Sequence, residues 1–197
     1  MRVTLERYYK SFTKLKLLFA GIPFVPLLFH ALAPSNTIAK LMYPPLGDVQ
    51  FLAIGATVIF LFLTTFAVFI SAQLTGRLNP LVPIFLMVGF LTGVGALIPL
   101  YVSFVRLIPV PSENKQVLVS VGYQRTEFAG LTYDKSSDWE MLHSRGPWEE
   151  QIQKLWTQRS ISIVRFGLWS LYTVSLAFLL SVVSLAAYRH AGESLEQ

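Results

Sequence analysis

Three imidazoles, His30, His143 and His190, are the side chains best suited to metal or proton chemistry here, and they lie far apart in the chain. His30 falls inside an apolar run. Two such residues from paired subunits could ligate a haem, but a lone histidine there more commonly hydrogen-bonds a neighbour. His143 and His190 sit in separate polar segments. Zinc and di-iron sites need several ligands at close spacing, and no stretch supplies them. The absence of cysteine removes disulfides, thiolate metal sites and cysteine nucleophiles. No cofactor is expected.

Acid–base chemistry fares no better. Glu113, Glu127, Asp134, Asp138, Glu140, Glu149 and Glu150 are scattered through one polar insert, and none pairs convincingly with another. They read as a solvated face. No nucleophile stands beside a base, and no glycine-rich loop cradles a phosphate. The chain is expected not to be an enzyme. Its formal charge of +5 comes from lysines and arginines at the ends of apolar runs, where they meet lipid head groups. Direct nucleic-acid binding is therefore not expected.

Three sets of residues remain as candidate sites. Arg106, Arg159 and Arg165 flank the insert. A charge within a membrane-spanning run is costly, and Arg165, about one turn past Ser160, could snorkel to head groups. With Arg106 it could instead face a cavity, and in an oligomer a ring of guanidinium groups would favour anions. Gly89 and Gly93, with Gly95 close by, are the glycines of the third run; Gly89-x-x-x-Gly93 strips side chains from one helix face, so another helix can approach closely, from the same chain or from a second copy. Trp148, Ile152 and Trp156 recur at helical spacing and are candidates for contact with the insert or a second subunit.

The elements that position these residues follow from composition. Hydrophobic residues make up 53% of the 197 and charged ones 14%, against about a quarter charged in soluble domains. Four apolar runs, 17–33, 49–75, 78–105 and 161–188, approach or exceed the ~20 residues that cross a bilayer as a helix. The expected architecture is an all-α polytopic membrane protein with four transmembrane helices and a small α+β insert between the third and fourth. The divisions are 1–108, a basic start with helices one to three; 109–160, the insert; and 161–197, helix four with a polar tail. Alternation over 116–123 predicts a strand, paired with 125–133. Ser137 to Glu140 has capping-box spacing, which starts a short helix through about His143. Helix four is expected to begin near Pro147 and run unbroken to Arg189, its first third projecting as a stalk. Basic residues before the first run favour both termini in the cytoplasm, while Arg106, Lys115, Lys154, Arg159 and Arg165 around the insert argue for the reverse.

In size and number of passes the chain resembles colicin-type immunity proteins and the small four-pass membrane components of bacterial anti-phage systems. The resemblance is architectural and carries no motif. It implies a bacterial inner-membrane protein. Two functions are compatible with these features. One is a homo-oligomer whose module senses a ligand or partner and drives the bundle, by pore formation, membrane perturbation or recruitment. The other is a non-catalytic immunity or binding subunit that holds a second protein. The bilayer is a partner in both.

Overall fold

The computed structural model describes residues 45–47, 50–75, 81–110 and 116–193. The run 17–33, His30, Glu113 and the turn at 76–80 lie outside them. The fold is mostly helical with one two-stranded sheet. Helix α1 is Gln50–Thr75 and α2 is Leu81–Phe104, both free of charged residues. Strands β1 (Val105–Pro109) and β2 (Gln116–Ser120) follow. The short helices α3 (Glu127–Thr132), α4 (Asp138–Arg145) and α5 (Glu149–Leu155) precede the long α6 (Gln158–Glu193). Two stretches among the described residues are long and apolar enough to cross a membrane, Leu81–Phe104 and Gln158–Ala186.

The described residues fall into two units, one drawn from 54–94 and 173–193, the other from 45–53 and 95–172. In the first, Leu61 packs with Ala177, Leu180 and Leu176. The hydroxyls of Thr57 and Thr173 meet at 3.2 Å. Ser181 and Ser184 donate to the carbonyls one turn back, Ala177 and Leu180. Each of these hydroxyls is thus satisfied inside an apolar bundle, where an unpaired one would be costly.

The second unit holds the insert, and here the structure revises two expectations. The first concerns the sheet. β2 does not pair with 125–133, which forms α3 after a Thr126 N-cap. Its partner is β1, antiparallel, with Val105 opposite Ser120 and Ile108 opposite Val117. The chain passes from α2 into β1 with no linker, so Arg106 belongs to a strand and does not end the helix. Each face of this ribbon contributes to a core. Ile108 and Val119 join a core with Val121, Ala129, Met141, Leu142, Ile152, Leu155, Trp156 and Ile161. Val105 and Leu118 turn the other way, toward Leu97, Leu100, Val164 and Leu168. Some fifty residues bury little core alone; this module gains the rest from the ends of α2 and α6.

The second revision removes the stalk. α5 stops at Leu155, and Trp156 is extended (φ −122°, ψ 149°). In a continuous helix the Thr157 N–H would bond the carbonyl four residues back. It donates instead to Gln124 O at 2.9 Å, while Leu155 O accepts from Thr126 N–H at 2.9 Å. Trp156 bridges to Arg125 and is 1% exposed. The joint is a packed corner, and α6 starts after it. The capping box is present as expected: Ser137 Oγ accepts from Glu140 N, and Glu140 Oε2 accepts from Ser137 N at 2.7 Å. The helix it opens runs two residues past His143, to Arg145, and Pro147 lies ahead of α5 rather than inside it.

Candidate functional site

Around the corner the charged residues of the insert form two ion-pair clusters. The more buried one centres on Arg165, two turns into α6. Its guanidinium donates to Glu149 as a fork, Nη1 to Oε1 and Nη2 to Oε2, both at 2.7 Å, and Nε donates to Ser120 Oγ at 2.8 Å. All three nitrogens are engaged, and the residue is 9% exposed. Paired forks of this kind are short and directional. Burial alone raises the Glu149 carboxyl, but the hydrogen bonds and charge of Arg165, with Gln153, outweigh it, so the carboxyl titrates below the usual range. Glu149 and Arg165 are sixteen positions apart, beyond the reach of one helix face. Only the turn at Trp156–Thr157 brings them together.

This placement differs from both roles anticipated for Arg165. It is turned into the module, where Glu149 supplies the counter-charge. Glu149 accordingly leaves the solvated acidic face to which it was assigned. Asp138 leaves it too, accepting from Arg106 Nη2 at 3.4 Å and Arg125 Nη2 at 3.3 Å. Arg106 also donates to Val102 O at 2.8 Å, covering a carbonyl at the end of α2. Arg125 donates to Ser136 O at 2.9 Å and Tyr133 O at 3.2 Å, which ties α3 to the start of α4. Arg159 is exposed on the first turn of α6.

Ile152 and Trp156 are core residues of the module, as is fitting for contacts with the insert, whereas Trp148 caps α5 from an exposed position. Gly89 and Gly93 face α6 of the same chain. A Cβ on Gly89 would come within 3.0 Å of the Phe178 ring, and one on Gly93 would collide with Ser175 Oγ. Gly95 has nothing within 4 Å.

The outer surface of the module is aromatic. Trp139 stacks on His143, one turn apart on α4, with centroids 4.7 Å apart. Arg145 lies over the Phe128 ring at 5.2 Å. It also donates from Nε to Tyr133 Oη at 2.9 Å, a hydrogen bond that lowers the phenol's pKa. Tyr123, Leu131 and Trp148 are exposed nearby in sequence. Sequence reasoning took Trp148 as a contact residue and His143 as an isolated imidazole, and did not group either with Phe128, Tyr133 and Arg145. The aromatic content of the insert was the available signal. Among the described residues no group of three histidine or acidic side chains could hold a metal. No protein-family model, curated protein or solved structure matches the chain.

Proposed function

We propose that this is a multi-pass, non-catalytic membrane protein whose module binds a ligand or partner and passes the event to the helices continuous with it. The observation that carries the reading is α2. None of its residues is buried, and Phe85, near its start, is 77% exposed. At 1.5 Å per residue it is about 36 Å long, enough for the ~30 Å hydrocarbon core. In water such a surface would be an aggregation hazard; in lipid it is solvated. With Arg165 drawn into the module, the stretch 166–186 of α6 is uncharged and about 30 Å long. Helix α1 and the run 17–33 complete four passes, in a bacterial inner membrane with both termini inside.

Transmission rests on continuity. Phe104 at the end of α2 and Ile161 on α6 both pack into the module's core, so a displacement there is felt by the helices directly. Exposed aromatic side chains such as Trp139 and Trp148 are of the kind that anchor binding interfaces. The first form of this function is a homo-oligomer with a pore or recruitment as output. A second form, a binding or immunity subunit acting one chain at a time, is favoured by a specific observation. Two of the three glycines that would join copies, Gly89 and Gly93, are already occupied by Phe178 and Ser175.

Mass measurement in nanodiscs and ion flux across proteoliposomes separate the two. Several copies per disc with a flux support the oligomeric form. A single copy without flux supports the binding subunit. Quantitative release of the protein from membranes by alkaline carbonate contradicts both.

A further inference from the structure

The ion pair at Arg165 is sealed by a third segment of the chain. Gly47 adopts φ +62°, the left-handed region that favours glycine. A Cβ at this position would lie 2.6 Å from Arg165 Nη1 and 2.6 Å from Glu149 Oε2. The backbone of the turn therefore rests on the fork itself, with no room for a side chain between them. Leu46 beside it is buried. Helix α1 begins three residues later, and it is tied to α6 again one helical turn beyond Arg165, where Trp169 Nε1 donates to Ala53 O at 3.3 Å. Arg165 and Trp169 share a face of α6 and hold consecutive parts of the chain entering α1.

We propose that the Glu149–Arg165 pair is a conformational latch that closes fully only while the turn at Gly47 is seated on it, so that α5 and the entry to α1 sense each other's position. An ion pair is strong where water is excluded and weak where water enters. Lifting the turn hydrates the fork and loosens α5. Loss of the Glu149 charge leaves a guanidinium without its counter-ion beneath the turn and loosens the entry to α1. Such a coupling is reciprocal by thermodynamic necessity. It joins the last short helix of the module to a second helix besides α6, and it holds whichever form of the function above is correct.

Hydrogen exchange by mass spectrometry on the full chain in nanodiscs tests it. Gly47→Ala is expected to speed exchange of the α5 amides 152–156 by about tenfold, though it lies about a hundred residues away. Glu149→Gln, which keeps the shape of the side chain, is expected to speed exchange of the α1 amides 54–57 by a similar factor. The double variant should exchange no faster than the faster single at either place. Unchanged α5 exchange in a folded Gly47→Ala protein overturns the latch, as does a double variant whose acceleration is the product of the singles. If Gly47→Ala does not fold, Glu149→Gln decides alone: unchanged exchange at 54–57 overturns the coupling.

Discussion

Replacing Arg165 with Met removes one partner of a largely buried ion pair and keeps most of the side-chain volume. Breaking such a pair costs about 3–5 kcal/mol, because the remaining charge stays buried. Here the two side chains are 11% and 20% exposed, so some water reaches them and the lower end, about 3 kcal/mol, applies. For a chain of this size 1 kcal/mol moves Tm by about 2–4 °C, which sets the expected drop at about 6–12 °C. Adding Glu149→Leu removes the stranded carboxylate. Apolar replacements of whole buried pairs are near neutral, and the hydrogen bond lost to Ser120 Oγ is worth about 1 kcal/mol. The double variant should therefore recover to within about 4 °C of the parent. Thermal unfolding in nanodiscs at one scan rate, followed by tryptophan fluorescence, to which the core Trp156 contributes, reads both. An Arg165→Met protein within about 2 °C of the parent, or a double variant as unstable as the single, would refute the assignment of Arg165 to the module.

Further outcomes follow from the same geometry. The Glu149 carboxyl is held below its ordinary value of 4.5. Its contribution to stability is therefore present above that value and is lost as pH falls through the lower folded value. Acid unfolding should accordingly be less steep below 4.5 in Glu149→Gln than in the parent, and matching slopes would remove the pair from the account. Gly93→Leu should cost about 1–3 kcal/mol by overpacking against Ser175. Gly95→Ala, with open space around it, should change stability by less than about 1 kcal/mol. Equal effects of the two in thermal unfolding would contradict the packing of α6 on Gly93.

What could be read from the sequence was local. The capping box at Ser137 and Glu140 is a signal contained in four residues, and the uncharged runs of α1 and α2 needed only their length. The misreadings have long-range causes. Val105–Pro109 continues the apolar character of α2, so its switch to a strand was hidden. Its β-branched Val105 and Ile108 and the closing Pro109 were the available cues. The corner at Trp156–Thr157 was invisible because Ile152, Leu155, Trp156 and Ile163 keep helical spacing across it, with no glycine or proline to mark a break. Its cause lies in the backbone of residues 124–126, which takes over the Thr157 N–H and the Leu155 carbonyl. A threonine in N-cap position ahead of α6 was the one local hint. The Arg165 site depended on that corner, so it could not be assembled from spacing alone.

The claim beneath all of this is that α2 lies in lipid while the module stands in water. A chain without cysteine allows single cysteines to be introduced and read one at a time. In unsealed membranes a polar maleimide should modify Leu131→Cys, at a position 82% exposed on the module, and spare Phe85→Cys and Leu91→Cys until detergent is added. Labelling of the two α2 positions at the rate of Leu131→Cys in intact membranes would contradict a spanning α2, and with it the proposed function.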